Sequence, residues 1–110
     1  MESATAAHPL EITVAEYLAG WRRQPIQLID VREPEEWAGG HLAESVLVPL
    51  ADLERRVSEF DPNLTTVIVC RSGRRSLITA AALDRLGFRL VRSLAGGIVA
   101  WVDAGLPLAG

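Results

Sequence analysis

Thr66-Val67-Ile68-Val69-Cys70-Arg71-Ser72-Gly73-Arg74-Arg75-Ser76 is the stretch on which the reading of this chain turns. Four strand-forming residues run into a short loop containing Gly73, and a helical pattern takes over near Ser76. A strand passing through a tight loop into a helix is the unit from which parallel sheets are built. The same stretch sets the chemistry of Cys70, the one cysteine of the chain. Backbone N–H groups at such a turn point inward, and the helix dipole adds about half a positive charge there. Arg71, Arg74 and Arg75 strengthen that field. Beside arginine or at helix N-termini a cysteine pKa commonly falls from about 8.5 to about 3.5–7.5, so Cys70 is expected to act as a thiolate nucleophile. The alternative is a cysteine buried only for packing, the common fate of a lone Cys in an apolar run; Gly73 and the arginines weigh against it.

Outward from the loop, helices and strands alternate. Thr13-Val14-Ala15-Glu16 has the spacing of a capping box, opening a short helix that Gly20 can end. Gln27 to Val31 reads as a buried strand, and Glu33 to Ala38 as a short helix with Pro34 at its first position. Ser45 to Val48 is the next strand. Leu50, Leu53, Val57 and Phe60 recur at helical spacing, predicting one amphipathic helix with Glu54, Arg55, Arg56 and Glu59 on its wet side. Ser76 to Leu86 reads as a deeply packed helix stopped by Gly87, Leu90 to Arg92 as the last strand, and Gly96-Gly97 as the lead into a helix carrying Trp101. This order predicts an α/β fold with a mainly parallel central sheet of about five strands and helices on both faces. Ligands of such sheets bind beyond the carboxyl ends of the strands, where Asp30 and Cys70 both fall. Residues 1–9 read as a flexible lead and residues 10–110 as one domain.

Composition narrows the function. The 110 residues carry a net charge of −3 and all 11 basic side chains are arginine, offset by acids, which argues against a nucleic-acid binder. A lone cysteine excludes an intrachain disulfide, and no apolar run approaches the roughly 20 residues that span a bilayer. Met1 to His8 lacks the basic and apolar regions of a signal peptide, so a cytoplasmic location is expected. One Cys and two separated His offer no metal site, and no cofactor is called for.

Four segments in order, Ile29-Asp30-Val31-Arg32-Glu33-Pro34-Glu35-Glu36-Trp37, Gly40-His41, Cys70 to Ser76, and Leu94-Ala95-Gly96-Gly97-Ile98-Val99-Ala100-Trp101, closely resemble a single-domain rhodanese. The resemblance spans about residues 10–108 and implies the rhodanese-like fold and a thiosulfate sulfurtransferase activity. Cys70 matches the cysteine that attacks the outer sulfur of a donor, holds it as a persulfide and passes it to cyanide or a thiol. The residues agree: attack on an S–S bond needs a thiolate, and a bound persulfide anion needs N–H donors. Arg71, Ser72, Gly73, Arg74, Arg75 and Ser76 form the expected substrate cradle, the arginines attracting a small anionic sulfur donor. Asp30 and Arg32 match the family's acidic and basic pair, expected to hydrogen-bond the loop and hold its shape. His41 matches a structural histidine, and Trp37 and Trp101 read as packing anchors. The acceptor must come from outside the chain: cyanide, a small thiol, thioredoxin or a sulfur-carrier protein.

The chain departs from the family where Gly-His-Ile-Pro-Gly-Ala becomes Gly40-His41-Leu42-Ala43-Glu44-Ser45, a change of turn residues. Two rival functions follow from the same loop. A related cell-cycle phosphatase or arsenate reductase places arginine six positions after the cysteine, where this chain has Ser76. A non-enzymatic rhodanese-homology module, carrying sulfur or regulating a partner, is the other.

Overall fold

A computed structural model describes residues 8–110; the flexible lead expected for residues 1–9 therefore lies almost wholly outside the described residues. At its end, His8 is already tied down, its carbonyl accepting the Glu11 N–H at 2.9 Å. The elements run β1 (Glu11–Ile12), α1 (Val14–Ala19), β2 (Gln27–Asp30), α2 (Pro34–Ala38), β3 (Val46–Leu47), α3 (Leu53–Arg56), β4 (Thr66–Val69), α4 (Arg74–Arg85), β5 (Val91–Leu94) and α5 (Gly97–Asp103). The five strands form one sheet in the order β1-β5-β4-β2-β3, every neighbour parallel.

Local sequence explains most of these elements. Thr13 caps α1 through a complete capping box, its Oγ1 accepting the Glu16 N–H at 3.0 Å while Glu16 Oε1 accepts the Thr13 N–H at 2.8 Å. Pro34 opens α2, and Gly87 takes the left-handed φ of +97° after α4. Side chains alternate across the strands, so the sheet has two cores. Leu28, Val67, Val69 and Leu94 pack with Tyr17 of α1 and Ile98 and Trp101 of α5. Ile29, Val31, Ile68, Cys70 and Val91 pack on the other face with Ala80 and Leu83 of α4. The expected parallel sheet with helices on both faces is what the chain adopts.

Some boundaries differ. Leu50 to Phe60 is not one helix but a 3-10 turn (Leu50–Asp52), α3 and a second 3-10 turn (Val57–Glu59). Leu50, Leu53, Val57 and Phe60 still pack on the core, because separations of three and four residues suit successive tight turns as well as a continuous helix. Arg56, expected in solvent, is half-buried and donates from Nη1 to the Leu47 carbonyl at 3.0 Å. Strand β1 has no counterpart in the sequence reading; two residues become a strand only by pairing Ile12 with Leu94. Helix α4 starts at Arg74 rather than Ser76, and the last strand is Val91–Leu94 rather than Leu90 to Arg92. Among the described residues no helix is long and apolar enough to cross a membrane.

The topology locates the site. From β2 the chain steps outward to β3, then crosses back to β4 on the other side of β2 and continues to β5. Crevices in open parallel sheets form where the direction of winding reverses, here between β2 and β4. Asp30 ends β2 and Cys70 follows β4 at that point.

Candidate active site

Cys70 lies at the base of the loop, 1 % exposed. Its Sγ accepts hydrogen bonds from the Gly73 N–H at 3.1 Å and the Ser76 N–H at 3.3 Å, and lies 3.3 Å from the Ser76 hydroxyl. Carbonyls at the start of the loop are held elsewhere. The first turn of α5 takes two of them: the Ile98 N–H donates to the Cys70 carbonyl at 2.9 Å and the Val99 N–H to the Arg71 carbonyl at 3.0 Å. That close approach requires Gly97, where an added Cβ would lie 2.3 Å from the Cys70 oxygen. Gly73 turns the loop at φ +101°, and a Cβ there would meet the Gly96 nitrogen at 3.0 Å. The carbonyl side of the loop is thus held by α5, while both N–H donors to the sulfur, Gly73 and Ser76, lie at the start of α4.

The arginines divide. Arg71 and Arg74 are exposed, as is Ser72, and neither arginine makes an ion pair among the described residues. Arg75 is committed: its Nη1 and Nη2 donate to the two carboxylate oxygens of Glu36 at 2.8 and 2.9 Å, joining α4 to α2. Glu36 also accepts the Glu33 N–H at 2.8 Å. The Arg75 guanidinium, more than any other group, holds the Glu36 carboxyl down at about 2, and Glu36 in turn raises Arg75. Sequence reading missed Glu36 as a partner of the loop, since 39 residues separate the pair.

Asp30 and Arg32 form a buried ion pair of 2.9 Å, with Arg32 Nε also donating to both Asp30 oxygens at 3.0 Å. Their support runs elsewhere than expected. Arg32 Nη2 donates to the Gly40 carbonyl at 2.8 Å, so the hydrogen bonds of the pair brace the connection from α2 to β3 and do not reach residues 70–76. The reason is reach: Asp30 Oδ1 is already spanned by the Arg32 backbone and side chain.

His41 stacks on Trp37 with ring centroids 3.5 Å apart, its Nδ1 is 3.0 Å from the Trp37 carbonyl, and its backbone pairs with Ala109. Trp101 donates from Nε1 to the Pro107 carbonyl at 2.8 Å and meets Tyr17 edge-on. These are packing roles. A depression of about 370 Å³ beside the loop is lined by Arg32, Glu36, Arg71, Val99, Val102 and Asp103. Sequence reading also missed Ser93, buried on β5 with its hydroxyl 2.7 Å from that of Ser76.

Residues 13–104 match the family model described as a rhodanese-like domain. The chain is 38% identical over 85 residues to a sulfurtransferase of Allochromatium vinosum, covering 77% of this chain and 79% of that protein. It is 33% identical over 117 aligned positions to the chloroplastic thiosulfate sulfurtransferase 16 of Arabidopsis thaliana, covering 96% and 88% of the two. Among solved structures, a rhodanese-related protein of Thermoplasma volcanium superposes with a TM-score of 0.81 at 27% identity, over 90% of this chain and 96% of that one.

Proposed function

The chain belongs to the rhodanese-like domain family, and we propose that it is a thiosulfate sulfurtransferase working through a persulfide on Cys70. The observation that carries this reading is a nearly buried thiol whose sulfur accepts two backbone N–H groups, in a loop whose Arg71 and Arg74 are exposed and make no ion pair among the described residues. Converging N–H donors stabilise anionic sulfur both before and after transfer. The Cys70 thiolate attacks the outer sulfur of thiosulfate. An Sγ–S bond forms, the S–S bond of the donor breaks, and its electron pair leaves with sulfite. Cyanide or an external thiolate then attacks the terminal sulfur of the persulfide, taking it as thiocyanate or a new persulfide and returning Cys70 as thiolate. No general base is needed in either step, which suits a loop without a histidine.

Arg71 and Arg74 draw in the dianionic donor; Ser72 and Gly73 supply the loop backbone, and Ser76 its N–H and hydroxyl. Arg75 shapes the cradle through Glu36 rather than holding the donor directly. That engagement also weakens the phosphatase rival, whose loop needs a free arginine on the oxyanion, and Ser76 occupies the sixth position. Access supports this donor class: Cys70, 1 % exposed, is reached by a slender terminal sulfur more readily than by a bulky ester.

Steady-state release of sulfite and thiocyanate from thiosulfate and cyanide tests the proposal. Wild type turns over and Cys70→Ser does not, while Arg74→Ala raises KM for thiosulfate more than it lowers kcat. Aryl phosphate hydrolysis above the Cys70→Ser control, without sulfur transfer, would replace this reading. A persulfide that forms but turns over with no acceptor would make the protein a carrier.

A further inference from the structure

Behind the thiol, Cys70 Sγ, Ser76 Oγ and Ser93 Oγ form a line of two contacts, 3.3 and 2.7 Å long. All three residues are at most 1 % exposed, and Ser93 Oγ has no other hydrogen-bond partner among the described residues. Ser93 sits on β5, whose register sets it beside Ile68, and its side chain points to the same face of the sheet as Cys70, under the first turn of α4.

Counting hydrogens along this line separates the states of the sulfur. With Cys70 as a neutral thiol, three hydrogens compete for two contacts, and one buried polar hydrogen is left without an acceptor. With the proton lost to solvent, two hydrogens meet two contacts: the Ser93 O–H donates to Ser76 Oγ, and the Ser76 O–H donates to Cys70 Sγ. A persulfide gives the same count, because its Sγ also carries no hydrogen. A buried donor without an acceptor is disfavoured, and hydrogen bonds in series polarise one another. Ser93 matters because Ser76 Oγ is the one acceptor within its reach among the described residues. Once Ser93 donates there, the Ser76 hydrogen is aimed at the sulfur. Without Ser93, the Ser76 hydroxyl loses the donor that polarises it, and its hydrogen bond to the anionic sulfur weakens.

We propose that Ser93 is a positioning residue for Cys70: through Ser76 it orients a hydroxyl hydrogen onto the sulfur and so favours the hydrogen-free forms, thiolate and persulfide. The inference rests on Cys70 being the nucleophile of the proposed reaction, and no proton passes along the line; the two hydroxyls only rotate.

The test is the pH dependence of Cys70 alkylation by iodoacetamide in the full chain, with folding checked by circular dichroism. Ser93→Ala moves the alkylation midpoint up by about 0.1–0.6 pH unit, the ~10–30% by which one hydrogen bond in series strengthens the next, taken on a bond to a charged group. Ser93→Thr, which keeps the hydroxyl, returns it toward wild type. In a Ser76→Ala background, Ser93→Ala adds no further shift, since its only link to the sulfur is gone. An unchanged midpoint in folded Ser93→Ala, or an equal shift in both backgrounds, would overturn the proposal. A readout without variants is the NMR response of the Ser76 and Ser93 hydroxyl protons, which must titrate with the alkylation midpoint; signals that ignore it would also overturn the proposal. Alkylation needs no sulfur donor, so failure of wild type to take sulfur from thiosulfate sinks the proposed reaction and leaves this result standing by itself.

Discussion

Gly97→Ala is the sharpest perturbation of the cradle that leaves Cys70 itself untouched. Gly97 has φ +56°, and an added Cβ would lie 2.3 Å from the Cys70 oxygen and 2.7 Å from the Arg71 oxygen. A left-handed φ costs a residue with a Cβ about 1–2 kcal/mol. Both clashing atoms are backbone, so no flexible side chain can yield, and forced overpacking adds about 1–3 kcal/mol. The expected destabilisation is thus about 2–5 kcal/mol, or about 8–20 °C in Tm for a domain of this size. The damage is also directional: separating α5 from the loop breaks the Ile98 and Val99 hydrogen bonds that turn the loop carbonyls away from the sulfur. Gly87→Ala is the control, because Gly87 has φ +97° with open space around it and incurs only the conformational cost of about 1–2 kcal/mol. Thermal unfolding by circular dichroism is measured for both variants, with the rate of sulfite release from thiosulfate at a temperature where each is folded. Gly97→Ala loses more Tm and slows sulfur loading, whereas Gly87→Ala keeps the wild-type rate. Equal Tm losses with unchanged loading in both would refute the argument that α5 holds the loop in shape.

Two further outcomes concern the frame around the loop. Glu36→Gln removes a bidentate partly exposed pair and is expected to cost about 1 kcal/mol, read as a Tm lower by about 4 °C. Because Glu36 is held at about 2 against an ordinary value of 4.5, its contribution is present above pH 4.5 and lost as pH falls toward 2. Urea denaturation in that window should therefore show a steeper loss of stability for wild type than for Glu36→Gln, and parallel curves would contradict the pairing. Glu44, the one non-glycine residue with positive φ among the described residues, sits at φ +70°. Glu44→Gly relieves about 1 kcal/mol of strain, offset in part by added freedom of the unfolded chain, so Tm rises by a few degrees at most; a fall would show that the Glu44 side chain does more for the fold than its backbone costs.

What could be read from sequence follows from the distance over which each interaction acts. The α1 capping box, the Pro34 start of α2 and the strand-loop-helix around Cys70 are local, with every determinant within a few residues, and all three were legible. Strand β1 was not, because Glu11 and Ile12 are extended only through their pairing with Ser93 and Leu94. The single helix expected at 50–60 failed for another reason: its apolar spacing specifies which residues face the core and leaves open how tightly the chain coils between them. At the site, Cys70 and its N–H donors come from one continuous segment. Glu36 against Arg75, Ser93 against Ser76, and the α5 turn that grips the loop carbonyls all join residues from separate elements, which a linear pattern does not bring together.

The central claim, sulfur carried on Cys70, is tested most directly by mass. Reduced wild-type protein incubated with thiosulfate and desalted is predicted to gain one sulfur atom, mapped by peptide analysis to Cys70 and removed by cyanide, with no gain in Cys70→Ser. An unmodified Cys70 after exposure to both thiosulfate and a polysulfide would contradict the account.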